Sequence, residues 1–416
     1  TTGSRNVAIG SWALSVQDTH SDNVAVGYMA LRVANGGEWN TALGTNTLKA
    51  LTSGSRNTAI GHNALDNADT ENDNIAIGYD ALGGAVAGGE KNIAIGNYAM
   101  ETMISGDNAI AIGYEAAELV ESSADFVAIG FRALDNTVSG AHGAVIVGGN
   151  AMGTGAVTGN YQVALGYNSV LKNTSANYTI GIGYSAASSV TSGAGNIAIG
   201  ANAMQNASAV GDGAENIAIG YSAMSSAAAS ANNYNIAIGS NTLDAISTAD
   251  GVIAIGHQAG TTLTSGSKCV YVGYQAGKDT TTAQENVGIG DQALENNVDG
   301  GSNTAVGHYA LQDCADGYNN TAVGEDSGMS ITSGQRNVAV GSDSLRSATT
   351  GHKNIAIGAY AGDNISSGSN NVMIGGADAA SATGSDQLSI SSGDGSPVWI
   401  TGDSAGFVTH TNGSDH

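Results

Sequence analysis

Large side chains and positive charge are scarce in this chain. Its 416 residues include one Pro, three Phe, three Trp and two Cys, and 12 Lys and Arg stand against 36 Asp and Glu. So few large apolar groups cannot fill the deep core of a conventional globular domain. The net charge of −24 argues against nucleic acid as a partner, because phosphate binding needs a basic surface. No apolar run approaches the ~18 residues of a membrane helix, so membrane insertion is not expected. Cys269 and Cys314 fall between two and three repeats apart, roughly 12 Å along a stack of strands and too far for an undistorted disulfide. They read as free thiols.

Glycine, by contrast, is abundant: 22 of the 62 glycines close a recurring phrase, Asn-x-Ala-Ile/Val-Gly. The series opens with Gly10, Gly27, Gly44 and Gly61 and ends at Gly375; of its 21 intervals, 16 are 17 residues and five are longer by one to three. A period this short is one coil of a solenoid, not a domain.

Slots are counted here from the closing glycine. Slot −1 holds Ile, Val or Leu in all 22 repeats, from Ile9 to Ile374, and slot −2 holds Ala in 17, the exceptions being Ile146, Gly181, Tyr271, Gly288 and Met373. Alternation of large and small residues predicts a strand, with the slot −1 column facing an interior. Slot −4 is Asn in 15 repeats. Asn tolerates left-handed backbone, so this slot is read as a corner where stacked amides form a ladder. Slot −7 is Gly in 14 repeats, read as a second corner with positive φ. A small residue at slot +3 followed by Leu, Met or Ala at +4, as in Ala64-Leu65 and Ala203-Met204, predicts a second short strand; Gly takes slot +4 at Gly260, Gly277, Gly328 and Gly362.

The expected fold is all-β, a parallel β-solenoid of about 22 rungs over residues 1–378, each rung two short strands and two polar corners. A 17-residue coil has a contour of at most ~56 Å and admits one or two large side chains. Stability is therefore expected from stacking and from a homotrimer, in which small Ala and Gly residues let chains approach. At ~4.8 Å per rung the section would extend roughly 105 Å. The longer repeats ending at Gly220 and Gly239 are expected to expel loops, at 207–215 and 225–233, without breaking the stack. Residues 379–416, with Pro397, Trp399 and Phe407, lose the period and read as a small β-rich C-terminal cap or transition segment. The opening Thr2-Gly3-Ser4-Arg5-Asn6 matches Ser53-Gly54-Ser55-Arg56-Asn57 and enters a rung directly, so the start reads as a cut through a longer protein.

The run Asn57-Thr-Ala-Ile-Gly-His-Asn-Ala-Leu65, followed by polar corners, resembles the repeats of bacteriophage tail fibre and tailspike shafts. It is also similar to the shorter-period heads of trimeric autotransporter adhesins. The adhesin resemblance implies a left-handed parallel β-roll with three chains side by side on a cell surface. The phage resemblance implies a homotrimeric fibre that touches the host, often followed by a C-terminal intramolecular chaperone. The stretch Gly395-Ser-Pro-Val-Trp-Ile-Thr, continued by Phe407-Val-Thr, resembles the segment that precedes such a chaperone.

Candidate functional groups fall into columns. Slot −5 carries six of the 12 basic residues, Arg5, Arg56, Lys91, Lys268, Arg336 and Lys353, together with Asp22, Asp73, Glu215 and Glu285. A mixed-sign column reads as a solvated edge or an interchain salt-bridge row. Slot +1 carries Tyr28, Tyr79, Tyr114, Tyr167, Tyr184, Tyr221 and Tyr274, with His62, His257 and His308. Such aromatics stack on sugar rings in some proteins, but stacking on one another or filling an interchain groove is the commoner use. The acidic run from Asp66 through Asp69 and Glu71 to Asp73 lacks a calcium-loop spacing and reads as a solvated corner. The eight His show no metal-ligand spacing. No catalytic, cofactor or metal site is assigned.

These readings point to a non-enzymatic structural and adhesive shaft of a viral tail fibre. It would attach to a host cell-surface receptor, a glycan among the options, on a virion tail or extracellular surface. The alternatives are a bacterial trimeric adhesin head or a tailspike glycan depolymerase, which would need clustered acids near the 207–233 loops. An ice-binding solenoid would need a Thr column, yet slot −3 holds Thr only at Thr41, Thr58, Thr304 and Thr321. The acidic excess disfavours anionic glycans as ligands.

Overall fold

The structure is a computed structural model that describes residues 3–16, 20–84, 89–136, 140–154, 158–206, 214–227 and 233–410. It comprises two compact units, Thr1–Asp212 and Gly213–His416. Twelve three-residue strands, from Val7–Ile9 to Ile197–Ile199, belong to the first unit, and each pairs in parallel with the next. Ten more, from Ile217–Ile219 to Val372–Ile374, stack likewise in the second. Leu388–Ser391 adds a further parallel strand, after which Val398–Gly402 and Val408–His410 pair antiparallel. The chain is thus an all-β parallel solenoid with a period of about 17 residues, and no described residue is helical.

Register follows the slots throughout each unit, so Thr58, Ala59 and Ile60 face Ile75, Ala76 and Ile77. Longer repeats do not disturb it: Ile217 pairs with Ile236 across a 19-residue turn and Val127 with Val145 across 18. The extra residues of the expected loops, 207–213 and 228–232, lie outside the described residues.

The phase of the alternation is the reverse of the expected one. Beyond Ala8 of the first turn, which is exposed, the slot −2 alanines are buried, Ala59, Ala76 and Ala218 completely, whereas no residue in the slot −1 column from Ile9 to Ile374 is buried. Ile60, Ile77 and Ile219 are half-buried, and Leu43 and Ile357 are exposed. Slot −3 faces outward as well. The interior side of the strand has room only for Ala, because it is filled from the opposite wall.

That wall is a left-handed turn, not the second strand expected. Residues at slots +2 and +4 take φ near +50 to +60°, as at Asn63 (+56°) and Leu65 (+49°). In a strand, neighbours point to opposite faces; here Ala64 and Leu65 are both fully buried. Slot +7 supplies a third inward column, with Leu51, Met103, Ile246, Leu263, Ile331 and Ile365 all buried. Where slot +4 shrinks to Gly, slot +7 is often large: a Cβ on Gly328 would lie 3.0 Å from Ile331 Cδ1, and one on Gly362 3.1 Å from Ile365 Cδ1.

Hydrogen bonds run along the stack at nearly every second residue. Around one turn, the N–H groups of Thr58, Gly61, Asn63 and Leu65 donate to Asn74, Leu43, Thr45 and Ala81 at 2.8 to 3.0 Å. The closing glycine is required twice over. Gly61 has φ +134°, and a Cβ there would stand 2.2 Å from the carbonyl oxygen of Gly78.

Two corner assignments are corrected. Slot −4 Asn is not left-handed; slot −5 is, with φ near +60° at Arg5, Arg56, Lys268 and Arg336. Asn instead points into the core. Asn320 Oδ1 accepts the Asn337 N–H at 3.0 Å, and Asn320 Nδ2 donates to Gly334 O at 2.8 Å. The same pair of bonds recurs at Asn23, Asn40, Asn303, Asn337 and Asn354. The expected amide ladder exists, but it is chiefly side chain to backbone, with direct amide contacts such as Asn337 Nδ2 to Asn320 Oδ1 at 3.0 Å added to it. Slot −7 Gly needs no positive φ at Gly54 or Gly334; its missing Cβ admits the next turn's backbone, since a Cβ on Gly54 would meet Glu71 O at 2.1 Å.

The Asn column lapses at Val252 and Cys269 and over five consecutive turns, at Ala109, Phe126, Ala144, Gln162 and Thr179; in this last stretch the core tolerates buried polar atoms without a partner, Gln162 Oε1, Asn173 Oδ1 and Thr179 Oγ1. One turn departs further. Tyr271 replaces the slot −2 Ala, is fully buried, and is accommodated by Gly260, Gly277 and Gly288, where added Cβ atoms would lie 3.4, 2.4 and 3.2 Å from its ring. Burial lifts its phenol well above the usual tyrosine range.

Two substitutions test this interior. Asn320→Ala strands the buried Asn337 N–H and is expected to cost about 1–3 kcal/mol in urea unfolding. Gly277→Ala is expected to cost about 1–3 kcal/mol by overpacking. In a Tyr271→Ala background the cost should fall sharply in a double-mutant cycle, because residues such as Leu311 adopt the same φ in that slot.

Candidate interaction surfaces

Three of the six slot −5 cations, Arg5, Arg56 and Lys268, form ion pairs within the chain. Arg5 lays its guanidinium on the Asp22 carboxylate of the next turn at 2.5 and 2.7 Å, and Arg56 does the same to Asp73 at 2.5 and 2.9 Å. Lys268 reaches Glu285 at 3.7 Å. The arginine beside each carboxyl holds Asp22 and Asp73 below the usual carboxylate range. A second charge row occupies slot +5, where Lys49 meets Asp66 at 2.6 Å and Lys278 meets Glu295 at 3.3 Å. A 17-residue offset places equal slots one strand spacing apart, about 4.8 Å, within reach of a direct pair.

The acidic run is taken up by the same stacking. Asp66 pairs with Lys49 and Asp73 with Arg56, Asp69 accepts from the Thr52 hydroxyl, and the buried Glu71 carboxylate accepts the Asp69 and Thr70 N–H groups. No part of it converges on a common point as calcium ligands would.

Aromatic rings stack on one another. His62, Tyr79, Tyr98, Tyr114 and Phe131 form a continuous column on five successive turns, with centroid separations of 5.2 to 5.9 Å, the outer two contacts parallel and both contacts of Tyr98 edge-on. Tyr98 joins from slot +2, which sequence periodicity did not mark. Tyr167 and Tyr184, His257 and Tyr274, and the slot −5 pair Tyr161 and Tyr178 stack nearly parallel. Each ring thereby spends a face on its neighbour, which weakens the column as a sugar platform.

His142 and His352 use Nδ1 to accept the N–H of Ala124 and Gln335, so the histidines serve individual turns. Cys269 and Cys314 are free and buried, and burial pushes the Cys314 thiol up to about 12. Neither is an accessible nucleophile.

Sequence reading missed one cluster. Glu115, Glu118 and Asp135 bring carboxylate oxygens within 4.8 Å of one another. Arg132 binds Glu115 and lies 3.8 Å from Asp135, which neutralises part of the charge. The cluster forms because slots +2 and +5 of adjacent turns share one edge. Burial, followed by the repulsion of Glu115, Asp135 and Glu101, pushes Glu118 up to about 7.

A carboxyl raised in this way binds a proton on folding between its ordinary value near 4.5 and about 7. Its destabilising contribution is full above that window and disappears as pH falls through it. Glu118→Gln is therefore expected to raise the thermal midpoint at pH 8, with the difference from the parent chain shrinking towards pH 5. An equal difference at both pH values would contradict this assignment.

Among the described residues, no helix is long and apolar enough to cross a membrane. Comparison of the chain with protein-family models, with curated proteins and with solved structures finds no match.

Proposed function

We propose that the chain is the structural and adhesive shaft of a homotrimeric viral tail fibre and acts by host-surface attachment. The observation that carries this reading is the twin outward column of slots −3 and −1. In every repeat these slots hold Ile, Val, Leu or Thr, and none of them is buried. At roughly 60 Å² for each half-exposed Ile or Val, the strands of one unit present on the order of 1,000 Å² of apolar surface, above the few hundred that a soluble monomer leaves open. A surface of that size suits association with further copies of the chain.

This alters how the copies meet. Small Ala residues cannot form the contact expected of them, because the Ala column is enclosed within each turn. The β-branched ribbon takes that place. Among the described residues the carboxylates that converge are Glu115, Glu118 and Asp135, and Arg132 neutralises part of their charge, which favours attachment over catalysis. The depolymerase alternative would need the 207–213 and 228–232 segments, which lie outside the described residues.

Light scattering should give about three times the chain mass of 41.1 kDa. Ile77→Asp with Ile95→Asp, both on the ribbon, should reduce that mass or provoke aggregation, and a monodisperse parent monomer would sink the trimer. Incubation with host surface polysaccharide should leave polymer length unchanged. Shortening of the polymer, abolished by a single acidic substitution, would favour the enzyme instead.

A further inference from the structure

The ion-pair row of slot −5 has one inverted stretch. At Arg336, the next turn offers Lys353 where Asp22 and Asp73 stand opposite Arg5 and Arg56. The turn after that offers Asn370, whose amide donates to Asp386 at 3.0 Å. The preceding turn offers Asn319. Seven of the 12 basic residues form ion pairs among the described residues, and neither Arg336 nor Lys353 is one of them. Nowhere else among the described residues do two cations without an acidic partner occupy the same slot of consecutive turns.

Slot −6 completes the surroundings. Gln335, Arg336, His352, Lys353, Ser369 and Asn370 line one cavity of about 310 Å³. His352 Nδ1 accepts the Gln335 N–H at 3.0 Å, so the neutral imidazole carries its proton on Nε2 and offers it as a donor. Ser369 Oγ accepts the His352 N–H at 3.0 Å, which leaves its hydroxyl hydrogen to donate. Arg336, His352 and Lys353 are exposed. The walls are thus rich in donors and carry no carboxylate, in a chain of net charge −24.

We propose that this cavity binds an oxyanion, a carboxylate or phosphate group, which takes up between Arg336 and Lys353 the place that an aspartate fills elsewhere in the row. The Arg5 and Arg56 pairs show the geometry available: a planar fork receives two carboxylate oxygens at 2.5 to 2.9 Å. Lys353 adds a second charge one strand spacing away, and the His352 and Ser369 donors serve the remaining oxygens. The general acidity of the chain lowers the attraction at long range without removing it at contact, because screening confines distant charges to within ~10 Å. The site does not depend on the chain being a fibre.

Calorimetric titration of the full chain at about 0.1 M ionic strength, with inorganic phosphate in one arm and glucuronate in the other, tests the proposal. Saturable binding of at least one is expected, weakened at least tenfold by Arg336→Gln with Lys353→Gln and unchanged by Lys91→Gln. Binding of phosphate alone assigns a phosphoryl ligand, and of glucuronate alone a carboxylate; either supports the site. The substituted side chains are exposed, so the thermal midpoint of the double variant without ligand should not fall. Only the parent chain should gain from added anion. Absence of saturable binding in both arms, or undiminished binding by the double variant, would overturn it.

Discussion

Close approach of successive turns is the constraint on which the rest depends. The closing glycines sit so near the next backbone that a Cβ would lie within 2.1 to 2.6 Å of a carbonyl oxygen at almost every turn. No side chain survives there, and the φ values near +130 to +140° exclude other residues independently. With the backbones this close, each turn donates to and accepts from both neighbours. Single turns are too thin to be stable alone, so the stack acts as a one-dimensional array of like contacts.

A narrow cross-section leaves little interior to fill. Slot +4 sends in Leu or Met, slot +7 often adds another large residue, and slot −2 has space only for Ala. Exceptions are compensated locally, as Tyr271 is by Gly260, Gly277 and Gly288. The Asn column contributes differently, because a buried amide that satisfies backbone groups of the next turn converts a polar interior into a register device. Slipping one turn by a residue would place an Ile where the amide belongs.

The same geometry arranges the exterior. Any residue type repeated in one slot becomes a column with strand spacing, so charges pair, rings stack, and like charges crowd. Arg56 and Asp73, Tyr114 and Phe131, and the Glu115, Glu118 and Asp135 cluster are three outcomes of one rule. Surface chemistry in such a chain is therefore legible as differences between neighbouring turns, and Arg336 followed by Lys353 is such a difference.

Periodicity alone was enough to determine the parallel solenoid, its 17-residue turn, the strand at slots −3 to −1 and the unpaired cysteines, because a strict repeat permits only stacking of like on like. The stacked charges and rings were also legible, as equal slots must become neighbours. The tertiary structure decided which face of the strand is inside. A two-residue alternation has two phases, and hydrophobicity favours burying Ile60 and Ile77 over Ala59 and Ala76. The choice fell the other way because left-handed residues at slots +2 and +4 turn both Ala64 and Leu65 inward, and they leave room opposite only for a methyl group. No count of residue types reveals that backbone conformation, since it is held by hydrogen bonds to both neighbouring turns, from the Asn63 N–H back to Thr45 and from the Leu65 N–H on to Ala81.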